Sequence, residues 1–197
     1  MKKNIKSYIW ILNFNIILFL MSIIISNKIL LVQIFGFNIY NSMIYSYQLI
    51  TSMFIHTNIL YLFINTLFMF FIGKLVEDYL KSFMFIFLYI SSGVIGTVLK
   101  SIISPDLIIY GSTTSMFGII IFYLLMNKNI NLISFKLIEL KMKHIIYIIF
   151  YFLFIYGIIS LLNNNFEHMI SLAYVVVTIN SIIIFKYFNK RLYHDVA

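Results

Sequence analysis

The chain has no cysteine, one proline and seven glycines in 197 residues, and charged side chains make up only 10% of it. Without cysteine there is no disulfide framework, no thiolate metal site and no cysteine nucleophile. The shortage of charge excludes more. A water-soluble domain carries about 25% charged residues, because its outer shell must be hydrated. Here 62% of residues are hydrophobic, 19% are aromatic, and the mean hydropathy is +1.01. The solvent for such a surface is lipid.

Acid is scarcer than base: six Asp and Glu stand against fourteen Lys and Arg, a net charge of +8. Where the charges fall decides what the excess means. Six apolar stretches of spanning length can be read, at about 8–26, 57–73, 82–103, 112–127, 144–162 and 168–185. With the N-terminus in the cytoplasm, the inside segments hold Lys2, Lys3, Lys6, Lys74, Lys81, Lys128, Lys136, Lys141, Lys143, Lys186, Lys190 and Arg191, and the outside segments hold only Lys28 and Lys100. That asymmetry follows the positive-inside rule. It predicts an all-α membrane protein, a six-helix bundle with both termini cytoplasmic, forming a single domain over 1–197. The basic excess is then topology plus attraction to the lipid bilayer, and no nucleic-acid partner is expected. The first stretch is too long for a signal-peptide core and lacks a small-x-small cleavage pattern, so it reads as a retained helix. Residues 29–54 are apolar but broken by Gln33, Gly36, Asn38, Asn41, Ser42 and Gln48, which suits a hairpin lying in the outer interface.

Polar residues inside a bundle need a partner or a wet cavity, so they mark candidate sites. The second, fourth and sixth stretches all run inward, and each opens on polar residues: His56-Thr57-Asn58, Gly111-Ser112-Thr113-Thr114-Ser115 and Glu167-His168. The fourth is short. Its 16 residues make ~24 Å of helix against a hydrocarbon core of ~30 Å, so its start is sunk below the surface, behind a descending loop from Ser104 to Tyr110. A helix start there offers unpaired N–H groups to an anion. A hydroxyl beside an imidazole is the pairing used in acyl transfer. Capping and close helix packing are the bland alternatives for the same small residues. His144 and His194 sit in basic flanks and read as interfacial. Neither a metal nor a nucleotide motif is present, and no cofactor is expected.

These residues resemble the rhomboid intramembrane proteases, a serine-type family of multi-pass endopeptidases, from about Tyr47 to the sixth stretch. His56-Thr-Asn-Ile-Leu-Tyr61-Leu-Phe-Ile-Asn65 is similar to the family's His-x4-His-x3-Asn. Asn65 through Gly73 to Glu77, and Leu88-Tyr89-Ile-Ser91-Ser-Gly93-Val-Ile-Gly96, resemble the stretches that follow. Gly111-Ser-Thr113-Thr-Ser-Met-Phe117-Gly118 stands where the family has Gly-x-Ser-x-x-x-(Phe/Tyr)-(Gly/Ala), and His168 stands where it has its base.

The resemblance implies a hydroxyl–imidazole dyad without a third carboxylate. Thr113 would be the nucleophile, His168 the base, and Asn65 an oxyanion donor, with Tyr61 at the second donor position. His56, Gly111 and Phe117 would line the substrate site, and Phe117 would pack against the imidazole. Ser112 and Ser115 are the alternative nucleophiles, rotated on a helix by about 100° and 200° from position 113. Six positions depart from the pattern: Thr113 replaces Ser, Tyr61 replaces His, Thr114 replaces Gly, and Ile170, Ser171 and Val175 replace small residues after the sixth-stretch His. Loss of one oxyanion donor is worth roughly 2.7 to 4 kcal/mol, and Val175 is expected to hold the sixth helix away from the fourth. The implied activity is hydrolysis of peptide bonds in or near a substrate's transmembrane helix, at the cell membrane, in a cavity open to the outer face. The alternative is a pseudoprotease that binds transmembrane clients without cutting them.

Overall fold

The computed structural model describes residues 6–24, 28–41, 46–129, 131–135, 138–141 and 171–194, with single positions at 144, 147–148, 151–152, 155 and 158. Helix α1 (Ser7–Ile24) leads into α2 (Lys28–Phe35), a 3-10 turn (Ile39–Asn41), α3 (Gln48–Thr51) and a second 3-10 turn (Ser52–Phe54). Helix α4 (Ile59–Phe68) continues through a π turn (Met69–Gly73) into α5 (Lys74–Ile103), and α6 (Thr113–Met126) follows. Strands β1 (Asn131–Phe135) and β2 (Ile138–Lys141) form an antiparallel ribbon, and α7 (Ser171–His194) closes the described chain. The protein is mostly helical; the ribbon is an addition to the all-helical expectation, in the lysine-bearing segment between the fourth and fifth expected stretches.

Among the described residues, three apolar stretches are long enough to cross a membrane: Ser7–Ile24, Ile59–Ile103 and Leu172–Asn189. The middle one has 45 residues, ~68 Å if straight, more than twice a bilayer core. It folds back at Lys81, whose φ of 65° and ψ of 163° break the helix. The reversal brings Phe85 to Gly73, where a Cβ would lie 3.6 Å from the ring. The expected fifth span, 144–162, falls mostly outside the described residues, and α6 is shorter than a full span.

Glu77 holds the turn end of the bundle together. Its buried carboxylate accepts the N–H groups of Ser7 and Tyr8, both at 2.8 Å, and the Ser82 hydroxyl at 2.6 Å. Two orphan donors of α1 are thereby satisfied by a negative group at the positive end of its dipole. Beside them Lys6 pairs with Asp78.

Lipid gives apolar helices no hydrophobic reason to associate, so small residues must let them approach. A Cβ on Gly93 would lie 2.3 Å from Ser115 Oγ, one on Gly96 2.4 Å from Thr114 Cγ2, and one on Gly118 2.2 Å from Ser92 Oγ. These three interlocks join α5 to α6. Helix α7 joins from the other side: Ser181 Oγ donates to the Gly118 carbonyl at 3.1 Å, and the Asn180 amide donates to Ser91 and Ser92 at 3.2 and 3.3 Å. Phe85, Leu88, Tyr89, Met116, Ile119 and Phe122 fill the centre.

The loop into α6 is held by backbone. Phe37 and Ile109 exchange two hydrogen bonds of 2.8 Å, Asn38 Nδ2 donates to Pro105 O at 3.1 Å, and Gly111 N–H donates to Ser52 O at 2.8 Å. Non-helical backbone at membrane depth is tolerated where protein satisfies it in this way. Gly111 has φ +97°, a conformation glycine adopts without penalty.

Candidate active site

That clip sets the start of α6 beside the residues that precede α4. Thr113, Gly111, Tyr110, His56, Thr57 and Tyr61 surround a cavity of about 260 Å³. A second cavity of about 320 Å³ adjoins it across Thr57 and Tyr110 and reaches α2.

His56 is 4% exposed and makes three polar contacts. Nδ1 lies 3.2 Å from the Phe54 carbonyl, Nε2 3.1 Å from Ser112 Oγ, and Nε2 3.5 Å from Asn65 Nδ2. A carbonyl only accepts, so Nδ1 carries the proton and Nε2 offers a lone pair. The Ser112 hydroxyl donates to it, and the Asn65 amide competes for the same lone pair at the longer distance. Burial pushes the His56 pKa below the ordinary value of 6.5, opposed by the Phe54 hydrogen bond. The ring is therefore a neutral acceptor that ties Ser112, at the head of α6, to Asn65 on α4.

The four consecutive hydroxyls at the head of α6 have four different surroundings. Ser112 is fully buried and committed to His56, so its side chain makes no cap on the helix it precedes. Thr114 is buried against Gly96, and Ser115 is buried beside Gly93. Thr113 is exposed and lines the cavity. Of the candidate nucleophiles, the cavity is thus offered Thr113 and neither Ser112 nor Ser115. The geometry also gives Thr114 a packing reason: the family's Gly at that position is replaced here by a side chain whose volume is accepted by Gly96 on α5.

Tyr61 stands on the cavity wall and is 64% exposed. Asn65, one turn further along α4, is buried toward His56. Phe117, one turn below Thr113, meets the Tyr174 ring edge to face at 5.0 Å. Lys100 Nζ donates to the Tyr174 hydroxyl at 3.1 Å and stands 4.6 Å above the ring centre. Val175 is buried while Ser181, two turns on, reaches the Gly118 carbonyl. His168, Glu167 and Ile170 lie outside the described residues, and with them the expected contacts of His168 to Thr113 and Phe117. Among the described residues no cluster of His, Asp and Glu could hold a metal ion.

Two functional arrangements escaped the sequence reading. In the sequence His56 and Ser112 stand as separate candidates, and nothing in their 56-residue separation signals that they bond. In the sequence Glu77 is part of a motif with no task attached; its place at a turn, facing the start of α1, is visible only in three dimensions.

Residues 44–186, well over half of the chain, match the Rhomboid domain family. No curated protein matches the chain.

Proposed function

The chain belongs to the rhomboid family, and on that premise we propose that it is an intramembrane endopeptidase that hydrolyses peptide bonds in or near the transmembrane helices of other membrane proteins. The observation that carries the reading is the presentation of Thr113 alone, among four adjacent hydroxyls, to a cavity whose wall includes His56 and Tyr61.

In this reading the Thr113 hydroxyl attacks the carbonyl carbon of the scissile bond while its proton passes to the imidazole of His168. The carbonyl oxygen gains the negative charge and is met by the N–H groups at the head of α6 and by the Asn65 amide. Collapse breaks the C–N bond, and the proton on His168 goes to the leaving amine. Water then attacks the Thr113 ester with His168 again as base, which releases the acid and restores the hydroxyl. The neutral His56 supports this from behind. By accepting from Ser112 it fixes the turn that carries Thr113, and it steadies the Asn65 amide. No cofactor is involved.

The second reading is a pseudoprotease that holds transmembrane clients without cutting, and Tyr61 favours it, because a phenol stands where the family has a second imidazole donor. One comparison separates the two. The wild type, Thr113→Ala and His168→Ala are reconstituted in liposomes with a model transmembrane substrate carrying helix-destabilising residues near its outer end, and products are read by mass spectrometry. Cleavage by the wild type and by neither variant supports the peptidase. Substrate retention without cleavage by folded wild type supports the pseudoprotease.

A further inference from the structure

At the far end of α6 from Thr113 a larger cavity, about 470 Å³, opens between the end of that helix and the last turns of the spanning part of α7. Its walls are of two kinds. Leu125, Ile182 and Phe185 make an apolar side, and Lys128, Lys186 and Asn129 make a polar rim. Both ammonium groups belong to exposed residues, and Lys128 Nζ stands 5.5 Å from the centre of the Phe185 ring, which draws it over the mouth of the cavity.

The surrounding charge is one-sided. Two carboxylates at this end, Glu77 and Asp78, are occupied by the head of α1 and by Lys6, and a third, Glu139, belongs to β2. Among the described residues the Lys6–Asp78 pair is the single ion pair, and no described ion pair involves Lys128 or Lys186. The depth is also informative. Lys186 falls near the end of the spanning stretch Leu172–Asn189, and Lys128 follows the last turn of α6. Each lysine stands at the end of an apolar helical run, with Leu125 and Ile182 about one turn inside it.

We propose that this cavity binds one anionic phospholipid, its phosphate between Lys128 and Lys186 and an acyl chain along Leu125 and Ile182. Two cations on one rim select a headgroup of net negative charge over a zwitterionic one. Inorganic phosphate shares the headgroup chemistry but has nothing to place against the apolar wall. The site is independent of the peptidase reading, since it lies at the opposite end of the bundle and uses none of the residues assigned to the reaction.

The test is lipid binding by the full-length protein in detergent, followed by native mass spectrometry during titration with phosphatidylglycerol or phosphatidylcholine. Lys128→Ala/Lys186→Ala is compared with a charge-matched control at the same end, Lys74→Ala/Lys81→Gly, and with Lys128→Arg/Lys186→Arg. At roughly 1 kcal/mol per lysine, and ~1.4 kcal/mol per tenfold, removing both lysines is expected to weaken phosphatidylglycerol binding about thirtyfold. The control and the arginine variant should bind as the wild type does. Circular dichroism checks that each variant is folded; the changed groups are exposed, so all should be. Equal loss in the two double variants would mean diffuse attraction and overturn the proposal. So would equal binding of the two lipids by wild type, or displacement of phosphatidylglycerol by millimolar inorganic phosphate, which would mark an ion site without a lipid.

Discussion

Gly96→Ala should separate the two helices that carry the Thr113 turn. A Cβ at position 96 would lie 2.4 Å from Thr114 Cγ2, 2.5 Å from its Cβ and 2.9 Å from its Oγ1. Carbon pairs settle at ≈3.5–4.0 Å, so α5 and α6 must part by about 1 Å. Side-chain rotation cannot relieve this, because the Thr114 Cβ is fixed to the backbone and its β-branched side chain has few rotamers. Overpacking costs 1–3 kcal/mol in well-packed cores, and three contacts this short place the cost near ~3 kcal/mol. Replacing glycine by alanine within a helix returns ~1 kcal/mol. The net expectation is a destabilisation of about 2 kcal/mol. Equilibrium unfolding by SDS in mixed micelles measures it, and the double variant Gly96→Ala/Thr114→Gly supplies the control. Moving the bulk from α6 to α5 should recover most of the loss, with a coupling of about 2 kcal/mol between the two sites. A neutral Gly96→Ala, or a double variant equal to the sum of the singles, would refute the interlock.

Three further outcomes are expected. Glu77→Gln leaves an amide that can accept only at its oxygen, so one of the two N–H groups at the head of α1 loses its acceptor; a loss of about 1–3 kcal/mol should appear in the same unfolding assay, and an unchanged midpoint would remove Glu77 from its capping role. His56 has a folded-state pKa held below 6.5, so the unfolded chain takes up its proton first as the pH falls. Its contribution to stability is then intact above pH ~6.5 and declines below it; subtracting the pH profile of His56→Gln from that of the wild type should expose a decline in that direction, and a rise would contradict the buried neutral ring. Tyr61→His, which returns the family residue to the cavity wall, should raise the cleavage rate on a reconstituted substrate by up to the 10²–10³ that one oxyanion donor contributes, and no gain in a folded variant would place Tyr61 outside the donor set.

The helices could be read in the sequence to within a few residues where charge or polarity interrupts an apolar run. The expected 112–127 is observed as Thr113–Met126, and the division between 57–73 and 82–103 falls at Lys81. The fold within residues 29–54 could not be read, because its short helices are held by contacts distant in sequence, such as Thr51 Oγ1 donating to the Phe35 carbonyl and the Phe37–Ile109 bridge. At the site, the polar residue types were legible and their sharing was not. A four-hydroxyl run cannot say which oxygen is free, because that depends on Gly93 and Gly96 on a different helix and on an imidazole 56 residues away. The same reason explains Thr114. Read alone it is an intrusion on the chemistry, and read with Gly96 it is half of a contact.

The carboxylate that closes the head of α1 also imposes an order of assembly. Helix α1 leaves the ribosome before α4 and α5, yet the acceptor for its first two N–H groups arrives about 70 residues later, four residues before the Lys81 reversal of the α4–α5 hairpin. Until then those groups can be met by interfacial water, and α1 is free to shift or tilt. Its register is locked once the α4–α5 hairpin brings Glu77 to it, so a helix made before that hairpin is fixed only after it.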